Sequence, residues 1–140
     1  MTHTVRAVIT DEPLDAAAIC AATRDELCGA VASFVGVVRN HDGGAGVESI
    51  DYSAHPLAEE TLRVIAESLA DRPGVHRIEA WHRVGHLEIG DEAMVVAVGA
   101  EHRAQAFGAC EALVEEVKAR LPIWKKQYRT DGSHEWSGLP

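Results

Sequence analysis

The sequence predicts an α+β domain in which two main helices pack on a mostly antiparallel sheet. Two long segments repeat apolar residues at close to 3.6-residue spacing, several shorter runs are rich in β-branched residues, and the turn residues between those runs suit hairpins. A chain of 140 residues with 46% hydrophobic and 25% charged content has the make-up of one globular core. One domain over residues 1–140 is therefore expected.

Thr10 or Asp11 followed by Pro13 reads as a helix start, because proline suits a first turn whose N–H groups lack partners anyway. A helix over residues 13–22 follows. From Gly29 the run Ala-Val-Ala-Ser-Phe-Val-Gly-Val-Val predicts a largely buried strand. It leads into a glycine-rich loop, Arg39-Asn-His-Asp-Gly-Gly-Ala-Gly46, and residues 49–54 read as a second strand. Pro56 opens a helix to about Asp71, with Leu57, Leu62, Ile65, Ala66 and Leu69 near helical period, and Arg72-Pro-Gly74 stops it.

Residues 75–84 and 92–100 read as two strands joined through a turn at Gly90-Asp91, which predicts a hairpin. The longest helix is expected over 102–121, with Phe107, Cys110, Val114, Val117 and Leu121 as its apolar stripe, and Pro122 ends it. Residues 123–129 alternate as a strand, 130–133 turn, and 134–137 are placed to pair back.

A net charge of −9 argues against nucleic-acid binding or adsorption to an anionic membrane, both of which need broad basic surface. No apolar run is long enough to span a membrane, and Met1-Thr-His-Thr-Val-Arg6 shows no secretory signal. Cys20, Cys28 and Cys110 are odd in number and form no CxxC, which suits a reducing compartment, so a cytoplasmic location is expected. No HExxH or paired CxxC calls for a metal, and His82 and His86, four apart in a strand, lie too far apart to share one.

Charge distribution says more than its total. All three lysines, Lys118, Lys125 and Lys126, fall in one C-terminal stretch. In an acidic protein this is either a local anion site or a solvated helix end beside a basic strand. Lys118 borders the apolar stripe, where partial burial or nearby cations would lower its pKa and fit it for acid–base or nucleophilic work. Strand alternation after Pro122 sets Lys125 and Lys126 on opposite faces, so one of them points toward Lys118.

Two more positions hold candidate anion ligands. Arg39 enters the glycine-rich loop, where a guanidinium fork and closely approaching N–H groups suit phosphate. The alternative is a surface arginine on a hairpin connection. His102 and Arg103 open the longest helix, where a cationic pair opposes the helix dipole unless an anion completes the site. The alternative is a packing histidine and an arginine paired with a carboxylate. Cys110, on the apolar stripe, reads as core rather than nucleophile.

Taken in order, Gly29-Ala-Val…Phe34-Val-Gly-Val-Val-Arg39-Asn, His82-Arg-Val-Gly-His-Leu…Gly90-Asp91-Glu92, Ala100-Glu-His-Arg103…Ala106-Phe107 and Lys118…Arg120-Leu-Pro-Ile-Trp-Lys-Lys126 resemble the molybdopterin synthase catalytic (large) subunit family, MoaE. The resemblance spans about residues 29–137. It implies an α/β hammerhead-type fold and a homodimer that binds two small ubiquitin-like sulfur-carrier subunits, forming a heterotetramer. Each carrier ends in Gly-Gly with a C-terminal thiocarboxylate. The implied activity is a sulfurtransferase reaction, two sulfurs moving to cyclic pyranopterin monophosphate to make the molybdopterin dithiolene in molybdenum cofactor biosynthesis. It further implies Lys118 and Lys125 as catalytic residues and Arg39, His102, Arg103 and Lys126 as substrate-binding residues, near a dimer contact. No cofactor or metal is implied, since sulfur arrives on the carrier.

Two departures from the family pattern stand out. The sequence reaches Pro140 soon after Trp136, where many members continue with a charged tail. Gln127 follows the lysine pair where an acidic residue is common, so a local salt bridge is expected to be missing. Two other readings compete: a non-catalytic paralogue that keeps the fold and anion pocket, and a nucleotide-phosphate binder, which no nucleotide motif supports.

Overall fold

The computed structural model describes residues 4–138; the ends of the expected 1–140 domain, residues 1–3 and 139–140, lie outside the described residues. Twelve elements follow in chain order: β1 (Thr4–Thr10), α1 (Ala16–Ala21), β2 (Ala30–Val37), β3 (His41–Asp42), β4 (Ala45–Ala54), α2 (Ala58–Ala70), β5 (Val75–Arg83), β6 (Gly85–Glu88), β7 (Glu92–Ala100), α3 (Arg103–Arg120), β8 (Ile123–Arg129) and β9 (His134–Ser137). They build two sheets. The first has the order β1-β5-β7-β2 and the second β3-β4-β8-β9, with β6 paired to β4. Every pairing is antiparallel except that of β1 with β5.

β7 explains why its sequence reads as a continuous apolar run. Successive side chains of a strand point to opposite faces. Met94, Val96, Val98 and Ala100 pack with Leu62, Ile65 and Leu69 of α2 and Ala109, Leu113 and Val117 of α3. Val95 and Ala97 face the other way, against Ile19 of α1. Both faces of the strand are thus covered. Each fully buried leucine or isoleucine in this layer contributes about 1.5–3 kcal/mol through removal from water. The second sheet has its own small core of Val38, Val47, Ile50, Leu87 and Ala93. No helix among the described residues is long and apolar enough to cross a membrane.

The α+β class, the antiparallel pairing and the two main helices agree with the sequence reading, and the structure corrects several details. β1 was not foreseen: its half-covered residues alternate weakly, and its partner β5 lies some seventy residues away in the sequence. The first helix starts at Ala16 rather than Pro13, because the Asp15 carboxylate caps it by accepting from the Ala18 N–H at 3.0 Å. The 39–46 loop contains the short β3 ladder, with His41 opposite Gly46. β5 and β7 do pair, but β6 intervenes and crosses to the second sheet. Phe107 is 67% exposed. The buried arc of α3 runs through Ala106, Ala109, Cys110, Leu113, Val114 and Val117. At 100° per residue Phe107 lies about 90° from its centre.

Candidate active site

The site begins where α3 ends. The Leu121 N–H still donates to Val117 at 3.0 Å, but Leu121 itself has extended backbone (φ −69°, ψ 125°), the conformation favoured before proline. Pro122 then forbids another helical turn, and its carbonyl accepts from the His55 N–H at 3.0 Å. β8 is thereby pinned beside β4, with Lys125 directly opposite Tyr52. This abrupt change from helix to strand brings Lys118, on the last turn of α3, and Lys125 to one place.

Two cavities meet there. One, of about 290 Å³, is lined by Tyr52, His82, Met94, Lys118, Trp124 and Lys125 among others. The other, of about 280 Å³, is lined by Arg39, His41, Asp42 and Gln127 together with the same Tyr52, Lys118 and Lys125. The two lysines and the tyrosine are therefore the shared boundary. Both cavities are open to solvent.

Arg39 is held at the polar end. Its Nη2 lies 3.6 Å from Asp42 Oδ1, and both side chains are substantially exposed. Asp42 also accepts from the Gln127 amide at 3.0 Å. That hydrogen bond, then the Lys125 charge, holds the Asp42 carboxyl below its ordinary pKa. An acidic residue at position 127 would meet Asp42 as a second carboxylate. An amide donor fits this buried position, and where a salt bridge is expected to be missing Gln127 gives the Asp42 carboxylate a charge-assisted hydrogen bond.

The remaining sequence candidates lie elsewhere. Lys126 points to the opposite face of the second sheet, its Nζ 5.0 Å from the Tyr128 ring centroid and 5.5 Å from that of Trp136. On that face Asp51 accepts from the Tyr128 hydroxyl at 2.7 Å and bonds His86 Nδ1 at 2.7 Å. His102 and Arg103 sit at the start of α3. Fifteen residues of helix place Arg103 about 22 Å from Lys118, so one chain does not bring them together. The His102 N–H is satisfied by Gln105 Oε1 at 3.1 Å, and among the described residues Arg103 makes no ion pair.

Tyr52 and His82 were missed as site residues. His82 is 8% exposed, and its Nδ1 donates to the Arg83 carbonyl at 2.8 Å. Tyr52 meets the ring edge-on, with centroids 5.1 Å apart. Burial lowers the His82 pKa to about 4, against the hydrogen bond to Arg83, with the Lys118 charge adding to the depression. A cue existed in the His82-Arg-Val-Gly segment, but alone it does not say that the ring turns toward a lysine on another element. Cys110 is buried and its pKa is pushed up to about 11, first by burial. It is therefore a poor thiolate and a core residue.

Comparison with known proteins agrees with this architecture. The family model described as "MoaE protein" matches residues 9–120. A molybdopterin synthase catalytic subunit from a Nostoc species is 38% identical over 133 residues, covering 94% of this chain and 81% of the relative. Molybdopterin synthase catalytic subunit 1 of Mycobacterium tuberculosis is 38% identical over 131 residues, covering 93% and 88%. The crystal structure of a molybdopterin synthase from Staphylococcus aureus superposes with a TM-score of 0.87 at 35% identity, covering 94% of this chain and 96% of that one. A chain from a protein–protein complex of subunits 1 and 2 of the Helicobacter pylori molybdopterin-converting factor shares the fold, with a TM-score of 0.72 at 21% identity.

Proposed function

The chain belongs to the MoaE protein family, and from that premise we propose that it acts as a molybdopterin synthase catalytic subunit, moving two sulfurs from a thiocarboxylated carrier subunit to cyclic pyranopterin monophosphate. One observation supports this above the others: Lys118 and Lys125, from different elements, meet at the boundary of two cavities. A transfer between two bound reactants needs a place where donor and acceptor come together.

In this reading the polar cavity receives the phosphorylated pterin, with Arg39 as the guanidinium that takes an anion bidentately. The carrier's Gly-Gly tail enters the other cavity and ends between the lysines. Lys118 moves a proton at the terminal carbonyl or attacks it transiently, and Lys125 stabilises the negative charge that develops there. Such preorganised charge is worth about 3–4 kcal/mol once the bound reactants exclude water from the site. In each transfer the carrier's sulfur bonds to the pterin carbon, water then cleaves the carrier's C–S bond, and the carrier leaves as a carboxylate whose new oxygen comes from that water. No cysteine is needed, which accords with the buried, high-pKa thiol of Cys110.

His102 and Arg103 enter this reading only through a second copy of the chain, whose α3 start approaches the site across a dimer contact. Lys126 has no place in the reaction, because it stacks on Tyr128 and Trp136 away from both cavities.

The test is conversion of cyclic pyranopterin monophosphate by the protein with thiocarboxylated carrier, beside Lys118→Ala. Wild type is expected to form product, and the variant to lose about 100-fold or more in rate. Near-normal turnover in Lys118→Ala would overturn the lysine assignment. Absence of product with wild type and bound carrier would overturn the function itself.

A further inference from the structure

His82 lines the cavity beside the two lysines, yet no step described so far uses it. Its chemistry is narrowly defined. Because Nδ1 faces the Arg83 carbonyl at 2.8 Å, that nitrogen carries the hydrogen, and the lone pair belongs to Nε2. Nε2 bonds no described residue and is not among the buried polar atoms left without a partner. Among the described residues it is therefore an unpaired acceptor on a ring that lines the cavity. The Tyr52 ring, packed edge-on at 5.1 Å, helps to fix the imidazole plane.

The ring is also unsuited to relaying protons. With its pKa lowered to about 4, it is neutral near pH 7 and a poor base toward an ammonium group. What remains is hydrogen-bond acceptance. Water fulfils that need in an open cavity, and a reactant that displaces the water must bring its own N–H or O–H.

Charge and shape decide which reactant that is. Arg39 lies on the far side of the lysines and draws the phosphorylated partner there. Among the described residues the His82 cavity has no cation beyond the shared lysines, and Met94, Val117, Leu121 and Trp124 make much of its wall. A tail of two glycines has no side chains, so its hydrogen-bond donors are its peptide N–H groups.

We propose that His82 Nε2 accepts the peptide N–H of the carrier's terminal glycine and so sets the register at which the tail stops between Lys118 and Lys125. This rests on the functional reading above, in which a Gly-Gly tail reaches those lysines. The terminal carbonyl is two bonds from the glycine nitrogen, so fixing one fixes the other. His82 is in this sense a specificity-determining residue for the donor.

The experiment measures carrier affinity by calorimetry with carboxylate-ended carriers, so that it does not depend on turnover. One carrier ends in Gly-Gly and the other in Gly-sarcosine, whose final N–H is replaced by N-methyl. The protein is wild type, His82→Leu, His82→Asn or His82→Gln. Wild type should bind the sarcosine carrier about tenfold more weakly, the effect of one hydrogen bond. His82→Leu should lose about tenfold with Gly-Gly and nothing further with sarcosine. His82→Gln, whose amide oxygen reaches the Nε2 position, should recover more than His82→Asn, which replaces only the donor to Arg83. Equal or multiplicative losses across both carriers would overturn the proposal, as would Asn rescuing better than Gln. If wild type binds neither carrier, the functional reading fails at its partner and this inference falls with it.

Discussion

Gln127 donates its side-chain amide to Asp42 at 3.0 Å, joining β8 to the short β3 ladder next to Arg39. Gln127 is 4% exposed, and Asp42 in turn lies beside the Arg39 guanidinium. Gln127→Glu would set a buried carboxylate against that of Asp42, which is partly open to water. The expected cost is about 1–3 kcal/mol at pH 7, together with weaker pterin binding as Arg39 loses its support. Urea unfolding of Gln127→Glu, alone and with Asp42→Asn, checks this. Recovery in the double variant is expected, and an unchanged midpoint in the single one would show that the contact is unimportant.

Lys118 and Lys125 bound the same two cavities, so their contributions should not be independent. If both act on one terminal carbonyl, Lys118→Ala and Lys125→Ala will each remove most of the rate. The double variant will then be little worse than either single one. Single-turnover assays with saturating carrier provide the measurement. Losses that multiply would assign the two lysines to separate steps.

These relationships differ in how far the sequence exposes them. The lysine pair is legible because an acidic chain gathers all its lysines around one proline, and Pro122 makes helix and strand meet at a predictable place. Strand alternation left open whether Lys125 or Lys126 faces Lys118, since the choice depends on which face of the second sheet turns toward the end of α3. Tyr52 and His82 were hidden because β4 and β5 belong to different sheets, and their contact depends on how the sheets meet rather than on any local spacing. The Gln127–Asp42 bond joins residues 85 apart. The separation of Arg103 from Lys118 was readable in advance, because fifteen residues on one helix amount to about 22 Å.

The His82 ring gives the protein a particular acid sensitivity. Its folded pKa is lowered from 6.5 to about 4, mainly by burial. Between those values the unfolded chain binds a proton that the folded chain refuses, so stability falls as pH falls. The contribution is fully present above about 6.5, declines from there to about 4, and is exhausted below. It amounts to about 3 kcal/mol at most. Urea midpoints at pH 7 and 4.5 should differ less in His82→Gln than in wild type, after allowance for the carboxylates common to both. An equal shift in the two proteins would mean that the ring is not the source.

His86 behaves in the opposite way on the other face of the second sheet. Its pKa is raised, first by the hydrogen bond to Asp51 at 2.7 Å. The proton that it holds when folded favours the native state below about 6.5, and this benefit is lost as pH rises through the elevated folded value. Proton NMR of the ring should give a midpoint above 6.5, returning toward it in Asp51→Asn. An unshifted wild-type midpoint would show that the pair does not persist in solution.

Arg103 and Lys118 supply the most demanding test, because they stand at opposite ends of one helix and yet are assigned to one site. If the site is completed by a second copy, Arg103→Ala and Lys118→Ala damage opposite partners in each active centre. A mixed dimer of the two variants then holds one centre with both residues intact and one with neither. Random exchange makes half the dimers mixed, so about a quarter of all centres should regain activity when the two inactive proteins are co-refolded. Recovery near that level would place the α3 start of one chain at the lysines of the other. No recovery, with exchange verified by mass spectrometry of tagged chains, would leave Arg103 outside the reaction and confine the anion site to Arg39 and the lysines.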